Sequence, residues 1–526
     1  MLLRNFLHST GGNFASMTAI MLPVLLGVTG LAVDYGTMSK AHSKLQTAVD
    51  AAVLAASRIN DKTIDREKVF ADFLAANVGG SGGITNVVSR LEIDQGVNYI
   101  STTGTASADV GLFFARLLGS ASRVTVSASA YESRNDLEVV LALDNTGSMG
   151  EARMKELRKA ATSLVDILST VHSPDIEPKR EVKAALVPFV TAVNIKGEGY
   201  KDSWIDNYVD PKTKLNTSYG AIYHGSNFTP KTNHLELFKA LDTTWKGCVE
   251  ARPAPYNLSD DPPSITNPNT LFVPYFAPDN PGKNATSPNS GTAWNNSYLN
   301  DSFGSKDQAK VMQASRYRGV AAKDKTIDAV DYHKPRTTGP NYACPTPIMP
   351  LTSDFVTLKA EIAKMIHWEG SGTNVSEGLA WSMRVLSPGE PYTQGAPFNS
   401  EKTSKFVVVF TDGENTVFGA SSQSYNKSDY GAYNFLDAPE QRFGTTNRST
   451  ALSNVNTWTQ TMCTNLKAKN VEIFTVLLGA DTAANRTLYS KCATTPDHYY
   501  PTSDVSELDT VFRKIATRIA RLYVTN

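Results

Sequence analysis

Two apolar segments of this chain each end at an aspartate, and this arrangement restricts the fold more than any other feature. Residues 137–143, Leu-Glu-Val-Val-Leu-Ala-Leu, precede Asp144, and residues 406–411, Phe-Val-Val-Val-Phe-Thr, precede Asp412. Nearly continuous apolar runs of this length are typical of strands buried on both faces of a parallel sheet. Open α/β sheets bind their ligands beyond the carboxyl ends of such strands. We therefore expect both aspartates at one edge of a sheet.

The rest of the carboxyl-terminal part alternates strand-like and helical patterns. After Asp144, apolar residues recur at helical spacing at Met154, Leu157, Ala161, Leu164 and Leu168. Similar patterns predict helices near residues 355–365, 379–386 and 508–522, and strands at 182–193 and 471–478. This alternation predicts an α/β fold with a doubly wound, mostly parallel sheet covered on both faces.

Hydroxyl side chains accompany the two aspartates. Thr146 and Ser148 follow Asp144 as Asp-x-Thr-x-Ser, and Thr373 lies in the Gly-Ser-Gly-Thr-Asn segment 370–374. Mg²⁺ prefers about six oxygen ligands near 2.1 Å and accepts water among them. Asp-x-Thr-x-Ser alone also occurs as a turn or helix cap. The strand before it, the helix after it and the order of the later residues favour a divalent-metal site made of Asp144, Thr146, Ser148, Thr373 and Asp412.

These residues resemble the metal-ion-dependent adhesion site of von Willebrand factor type A domains. The family pattern is Asp-x-Ser-x-Ser, then a Thr, then an Asp before Gly, and Thr146 stands here where Ser is usual. Its hydroxyl can still coordinate, although the extra methyl stiffens χ1. The resemblance implies a Rossmann-like fold and a bound Mg²⁺, with Mn²⁺ or Ca²⁺ as alternatives. It also implies an open coordination position for an Asp or Glu carboxylate of a protein partner.

The amino-terminal region contains a long uncharged stretch. Residues 9–33 carry no charged side chain, and residues 14–33 are long enough to cross a bilayer as a helix. A cleaved secretory signal is the alternative, with Arg4 before the apolar core and Gly-Leu-Ala at 30–32 as the cleavage site. Because the stretch is long and helical sequence continues beyond it, we expect a retained transmembrane helix at 14–33, preceded by a short tail at 1–13.

The remaining sequence suggests further divisions of the chain. An amphipathic helical stalk is expected at 34–78 and a small α+β module at 79–134. The α/β domain is expected at 135–194 and 346–526. A loop-rich insertion at 195–345 is rich in Asn, Pro, Ser, Gly and Tyr and shows little periodicity. Segments of this length without secondary structure are functional or disordered, and the tryptophans and cysteines within this one favour partial order.

Short sequences near the amino terminus carry a second resemblance. They are Gly-Gly-Asn-Phe-Ala at 11–15, Leu-Pro-Val-Leu at 22–25, Leu-Ala-Val-Asp-Tyr at 31–35 and Ala-Ala-Val-Leu-Ala-Ala at 51–56. Together they resemble the amino-terminal segment of TadG-like Tad (tight adherence) pilus-assembly proteins. Two phrases in the insertion, residues 245–252 and 271–276, also look like such chains. The resemblance implies a bacterial cell-envelope protein of a pilus system.

Four cysteines bear on the compartment: Cys248, Cys344, Cys463 and Cys492. They include no Cys-x-x-Cys, which disfavours a zinc ribbon or thioredoxin-like chemistry. Pairing the sequence neighbours, Cys248 with Cys344 and Cys463 with Cys492, is favoured because each pair lies within one region. Four free thiols in a reducing compartment are the alternative. Together with an anchor helix, disulfides favour an inner-membrane protein whose carboxyl-terminal domain lies on the periplasmic or outer side.

The composition and the lack of catalytic motifs in the sequence argue against nucleic-acid binding and enzyme activity. Lys plus Arg equals Asp plus Glu at 51 each, so no basic field for nucleic acid is expected. The sequence contains neither a Walker-type loop nor a recognisable nucleophile elbow, and we do not expect an enzyme.

We predict a membrane-anchored, metal-dependent protein-binding component of a Tad-type pilus assembly or adhesion system, whose partner is a pilus subunit or envelope component. The alternative is a structural scaffold with an incidental metal site.

Overall fold

The computed structural model describes residues 12–520, apart from 58, 60–63, 80–82, 96–98, 115–121, 134, 174–179, 220–226, 281–295, 297, 302–307, 319–337, 369–371, 418, 420–425 and 439. The described residues form two compact units, residues 12–133 and 135–520. Residues 370 and 371 of the predicted second metal loop lie outside the described residues.

The first unit contains two helices and a three-stranded antiparallel sheet. The helices are α1 (Gly12–Ser57) and α2 (Arg66–Val78). The strands β1 (Ile84–Gln95), β2 (Tyr99–Val110) and β3 (Ser122–Ser133) pair in the order β1-β2-β3. Both helices pack against this sheet, so the first unit is an α+β structure.

Helix α1 changes character along its length. From Met17 to Val33 most side chains are exposed and apolar, whereas Leu45, Val49 and Ala52 are buried against the sheet. The stretch from Met17 to Ser57 is long and apolar enough to cross a membrane. The prediction of an apolar amino-terminal helix is confirmed. The segment expected as a separate stalk differs from the prediction, because its later part forms the core of the α+β unit.

A new helix begins after a break that periodicity does not reveal. The carboxylate of Asp65 accepts hydrogen bonds from the backbone N–H groups of Glu67 and Lys68, at 2.9 and 3.2 Å. Such a cap satisfies amide groups that have no partner inside the helix. The chain therefore has two helices here in place of one continuous helix.

The second unit is built on a mixed, mostly parallel sheet. Its five parallel strands are β4 (Asp136–Asp144), β5 (Val182–Phe189), β11 (Thr403–Thr411), β12 (Val471–Leu478) and β13 (Tyr499–Thr502). They lie side by side in the order β13-β12-β11-β4-β5. The prediction of a mixed α/β fold with a mostly parallel sheet is confirmed.

Antiparallel strands extend the sheet beyond β5. The short strand β6 (Val193–Asn194) pairs with β5 and with β9 (Cys248–Val249), and β10 (Met349–Thr352) also pairs with β5. A separate hairpin joins β7 (Tyr208–Val209) to β8 (Asn216–Thr217). Because β9 belongs to the segment 195–345, the expected insertion contributes a strand to the main sheet.

Helices cover both faces of the sheet, and alternate residues of β4 face each layer. Val139 and Leu141 pack in one apolar cluster, while Val140 and Ala142 pack in another. The first cluster includes residues of α3 (Gly150–Thr170), α5 (Phe355–Lys364) and α9 (Leu508–Ala520). The second includes residues of α4 (His234–Ala240), α6 (Val375–Leu386), α7 (Arg448–Ala468) and α8 (Ala483–Cys492).

The described residues of 195–345 are largely buried. Trp204, Phe272 and Tyr298 belong to the same apolar cluster as β4 and α6. Short 3-10 helices punctuate this segment at Asp202–Trp204, Tyr256–Leu258, Pro268–Thr270, Gln308–Met312 and Ala314–Tyr317. Others occur at Gly147–Met149, Pro496–His498 and Val505–Glu507.

Two disulfides fix parts of the second unit. Cys248 is bonded to Cys344, and Cys463 to Cys492. This is the pairing of sequence neighbours that the sequence favours, and it is confirmed over four free thiols. The second bond joins α7 to α8.

Candidate metal centre

The first predicted loop lies where β4 ends. The buried carboxylate of Asp144 accepts a hydrogen bond from the backbone N–H of Thr146 at 2.9 Å. The hydroxyls of Thr146 and Ser148 lie 3.1 Å apart. Helix α3 begins directly after this turn at Gly150, whose φ of +54° favours glycine. The turn therefore presents three oxygen-bearing side chains between a buried strand and a helix.

The neighbouring strand brings the third predicted loop to the same place. Strands β4 and β11 are parallel and in register, with Leu143 opposite Phe410. The Ser148 hydroxyl donates to Asp412 Oδ1 at 2.7 Å, and the Thr411 hydroxyl donates to Asp144 Oδ2 at 2.7 Å. Four predicted ligands thus share one hydrogen-bonded cluster: Asp144, Thr146, Ser148 and Asp412.

Thr373 is held beside this cluster through its backbone. Its N–H donates to the Thr416 hydroxyl at 2.7 Å, and the Thr416 N–H donates to the Thr373 carbonyl at 2.9 Å. Thr373 is buried. Among the hydrogen bonds of the described residues, none joins its hydroxyl to the other four predicted ligands. The structure fixes the Thr373 loop against the Asp412 loop, and the side chain's role as a ligand stays a prediction.

Two buried carboxylates lie in this cluster, and their surroundings shift the pKa of Asp144. Burial, and then the nearby carboxylate of Asp412, raise the pKa of Asp144 to about 7. Hydrogen bonds from Thr146 and Thr411 act in the opposite direction but do not cancel this rise. Both donors are neutral, so they supply no compensating charge. A cation held between the two carboxylates would favour the ionised form of Asp144.

One basic side chain reaches the site from α3. The guanidinium of Arg153 donates to Asp412 Oδ2 at 2.7 Å. Its side chain is 44% exposed, whereas that of Asp412 is fully buried. Arg153 therefore neutralises Asp412 from the solvent side and leaves Asp144 without a cationic partner among the described residues.

The donor set fits a hard divalent ion. Two carboxylates and three hydroxyls are oxygen ligands of the kind that Mg²⁺ and Mn²⁺ prefer. Within the described parts of the chain, no group of three or more His, Cys, Asp or Glu side chains is placed to hold a metal. A metal at this edge would therefore depend on hydroxyls and water to complete its coordination.

Residues that are not predicted ligands also shape the site. Asn145 joins the first loop to its neighbours: its N–H donates to the Phe189 carbonyl at 2.8 Å, and its side chain to the Ile366 carbonyl at 3.1 Å. Thr411 could have been found, because it is a hydroxyl at the last position of a strand beside a predicted ligand. No periodicity marks Arg153, which is one charged residue among several on α3.

Helices α7 and α8 hold the loop that carries Asp412. The Tyr489 hydroxyl of α8 donates to the Gly413 carbonyl at 3.1 Å. The Asn415 side chain donates to Asn456 Oδ1 and Thr459 Oγ1 of α7, at 2.9 and 3.1 Å. The position of Asp412 thus depends on two helices that are themselves joined by a disulfide.

Fold and site together define a mixed α/β protein with a cluster of oxygen donors at the carboxyl edge of its sheet, preceded by an apolar amino-terminal helix. Residues 12–58 match the family model described as Tad: Putative Flp pilus-assembly TadE/G-like. This match covers α1 and confirms the resemblance to Tad pilus-assembly proteins that the first sixty residues predict. A comparison with curated proteins finds no match.

Solved structures also show similarity, at low identity. The von Willebrand factor domain of the type V pili tip protein Mfa5 from Porphyromonas gingivalis is 10% identical, covers 74% of this chain and 99% of its own, and has a TM-score of 0.32. The pilus adhesin SpaC from Lactobacillus rhamnosus GG is 9% identical over 82% of this chain, with a TM-score of 0.31. Proximal thread matrix protein 1 from the mussel byssus is 8% identical over 74%, with a TM-score of 0.29.

The chain spans 34% of the length of SpaC and 47% of the mussel protein. Because these TM-scores and identities are low, the three likenesses carry no conclusion about the function of this chain.

Proposed function

We propose that this chain is a membrane-anchored component of a Tad-type pilus assembly or adhesion system that binds a protein partner through a divalent ion. In this proposal the second unit is a von Willebrand factor type A domain with a doubly wound sheet. The observation that carries the proposal is the buried carboxylate of Asp144, which lies beside Asp412 and has only neutral hydrogen-bond donors.

The residues of the site would have the following roles in metal and partner binding. Asp144, Thr146, Ser148, Thr373 and Asp412 would hold Mg²⁺, either directly or through water. Ser148 is exposed while Asp144 is buried, so the open side of the cluster lies at Ser148. A bound ion supplies positive charge there that attracts an Asp or Glu carboxylate of the partner, more strongly in a partly dry cleft than in bulk water. The proposed activity is binding, without a catalytic step.

The proposed location follows from α1 and the disulfides. The apolar part of α1 would cross the bacterial inner membrane, as its length and composition allow. Disulfides persist in oxidising compartments, which favours the periplasmic or outer side for the second unit and its two bonds. The partner in this setting would be a pilus subunit or another envelope component.

The ion pair of Arg153 with Asp412 favours a second candidate. Because this pair neutralises Asp412 within the protein, the second unit could serve as a scaffold of the pilus machinery whose metal site is incidental. The two candidate functions differ in whether pilus assembly requires the bound metal ion.

The test compares the full-length chain with Asp144→Asn, and uses Asp166→Asn, an exposed carboxylate on α3, as the matched control. We expect Mg²⁺ or Mn²⁺ at one hundred times its Kd to stabilise the wild type and the control by about 2.7 kcal/mol, and the variant not at all. Thermal unfolding and calorimetry in detergent measure this. Pilus assembly in cells should fail for Asp144→Asn although the variant folds. A wild type that binds neither ion would contradict the proposal, and normal assembly with Asp144→Asn would favour the scaffold.

A further inference from the structure

In the first unit, the loop that follows β2 lies against α1 where the uncharged stretch of that helix ends. From residue 17 to residue 33 every residue of α1 is exposed apart from Gly30, and the next buried residue is Asp34. Gly30 and Asp34 are four residues apart, so they share one face of the helix. Residues 111–114, the described part of the loop, contact this face.

Asp34 holds the loop by its backbone. The two carboxylate oxygens of Asp34 accept hydrogen bonds from the N–H groups of Phe113 and Phe114, each at 2.9 Å. Asp34 is the first charged residue after the uncharged stretch 9–33, and it is only 4% exposed. Unpaired N–H groups and charged side chains are both costly in hydrocarbon. Because each satisfies the other here, this part of the first unit can lie at the boundary of an apolar environment.

The Phe114 ring reaches one turn further into the uncharged stretch. A Cβ at Gly30 would lie 2.5 Å from Phe114 Cγ, so the ring rests directly on the backbone of α1. One turn of helix is about 5.4 Å long. The loop therefore overlaps by about one turn with the part of α1 that is proposed to cross the membrane.

Phe113 presents an exposed aromatic ring at this level. Its side chain is 73% exposed, and its ring packs edge-on against that of Phe114 with the centroids 5.2 Å apart. The charged residues of β2 and β3 at this end of the sheet, Asp109 and Arg123, lie opposite each other and form an ion pair at 3.9 Å. Phe113 thus continues the exposed apolar surface of α1, and the neighbouring strand ends add no net charge.

Strand β2 runs alongside α1, which sets the distance of the rest of the sheet from the uncharged stretch. A Cβ at Gly104 would lie 2.5 Å from Val53 Cγ2 of α1, whereas the loop after β2 contacts Asp34. Val53 lies about 28 Å beyond Asp34 along the helix. The start of β2 and the residues of β1 that pair with it therefore lie far from the loop.

We propose that Phe113 inserts into the membrane surface, at the boundary between lipid headgroups and acyl chains, and thereby holds the sheet of the first unit close to the bilayer. Exposed aromatic and apolar side chains beside a polar surface commonly bury about 5–10 Å into this boundary. Lipid is favoured over a protein partner because Phe113 adjoins the surface of α1 that the bilayer covers. Asp34 acts as a positioning residue. The inference rests on the membrane crossing in the proposed function and is independent of the metal.

The test uses the full-length chain in phosphatidylcholine vesicles, with a fluorescent NBD label on an introduced cysteine. All four native cysteines form disulfides, so the introduced thiol is labelled selectively. Gly111→Cys places the label beside Phe113, since a Cβ there makes only ordinary contacts. Ile93→Cys is the control, because Ile93 is exposed and pairs with Thr102 near the start of β2. Lipids with a nitroxide at the headgroup should quench the label at residue 111 about twofold, and the control label little.

Substitutions test the two residues that carry the inference. Phe113→Ser should remove most of the quenching at residue 111, whereas Phe73→Ser, at an exposed phenylalanine of α2, should leave it unchanged. Asp34→Ala releases the loop and should also reduce the quenching. Asp50→Ala, at an exposed carboxylate of the same helix, should not. Thermal unfolding shows that each variant is folded.

A label at Val24→Cys, in the uncharged part of α1, separates the inference from the proposed membrane crossing. Nitroxides deep in the acyl chains should quench it. If they do, and the label at residue 111 stays unquenched or Phe113→Ser is quenched as strongly as the wild type, the inference alone is wrong. An unquenched label at residue 111 with blue-shifted emission would identify a protein surface as the occupant. An unquenched label at Val24→Cys would contradict the membrane crossing, and the inference with it.

Discussion

The two ends of the strand pair β4 and β11 differ in how their buried charged side chains are paired. Near the amino end, Glu138 and Lys405 lie opposite each other in register, form an ion pair and are both 3% exposed. Glu138 also accepts from the Ala396 N–H at 2.8 Å. At the carboxyl end, Asp144 and Asp412 are buried together, and the sole ion pair among the described residues there is that of Arg153 with Asp412.

The two ends differ in whether the protein supplies a cation for its buried carboxylates. Burying a charge is costly unless a partner of opposite sign is buried with it. At the amino end the protein supplies that partner on the neighbouring strand, and no further cation is needed. At the carboxyl end the Asp144 carboxyl has no cationic partner among the described residues and lies beside a solvent-exposed serine, so a cation from solution would favour its ionised form.

The largest effect is expected from breaking the ion pair of Glu138 with Lys405 at the amino end of the strand pair. Lys405→Met leaves the Glu138 carboxylate buried and unpaired, which should lower the free energy of unfolding by about 3–5 kcal/mol. Urea denaturation of the full-length chain measures this loss, and added Mg²⁺ should not restore it. The double variant Glu138→Leu with Lys405→Met should recover most of the stability. A loss below about 1 kcal/mol for the single variant would mean that the pair is as weak as an exposed one.

The second-largest effect is expected at Thr411, whose hydroxyl orients the Asp144 carboxylate at the carboxyl end of the strand pair. Thr411→Val keeps the shape but removes the hydroxyl donor, and residues that orient metal ligands are typically worth about 10–100-fold in metal affinity. Calorimetric titration with Mg²⁺ should show a loss of this size. Thr403→Val, at the other end of the same strand, is the control and should leave the affinity unchanged. Equal affinities for Thr411→Val and wild type would show that Asp144 needs no such orientation.

The smallest effect should come from Arg153, which pairs with a proposed ligand from the solvent side. Because its guanidinium competes with a metal for Asp412, Arg153→Ala should raise the Mg²⁺ affinity about two- to fivefold, as expected for a partly exposed pair. Lys155→Ala removes an exposed charge from the same helix and serves as the control. Weaker Mg²⁺ binding by Arg153→Ala would instead indicate that the guanidinium helps to position Asp412.

Much of the fold could be predicted because strands buried on both faces leave a plain signature. The run before Asp144 packs alternate residues into two different apolar clusters, and such a strand must be apolar nearly throughout. The position of both aspartates at one edge is predictable as well, since parallel strands end on the same side of a sheet. Four of the five predicted ligands lie in one cluster, and the metal itself stays a prediction.

Other features could not be read from local patterns. The start of α2 is marked by the Asp65 cap, which helical periodicity does not show. The segment 195–345 lacks periodicity because it is buried through irregular loops, yet its β9 extends the sheet. Arg153 reaches Asp412 across 259 residues of sequence. Long-range contacts of this kind depend on tertiary structure and leave no local trace.

The bond between Cys463 and Cys492 has a consequence for the rigidity of the Asp412 loop. It joins α7 and α8, and each of these helices holds the loop of Asp412 through a hydrogen bond to Gly413 or Asn415. The Lys467 ammonium of α7 also donates to the carbonyls of Lys491 and Ala493 at the end of α8, each at 2.7 Å. The covalent bond therefore adds to non-covalent contacts that already set the distance between the two supports of the Asp412 loop.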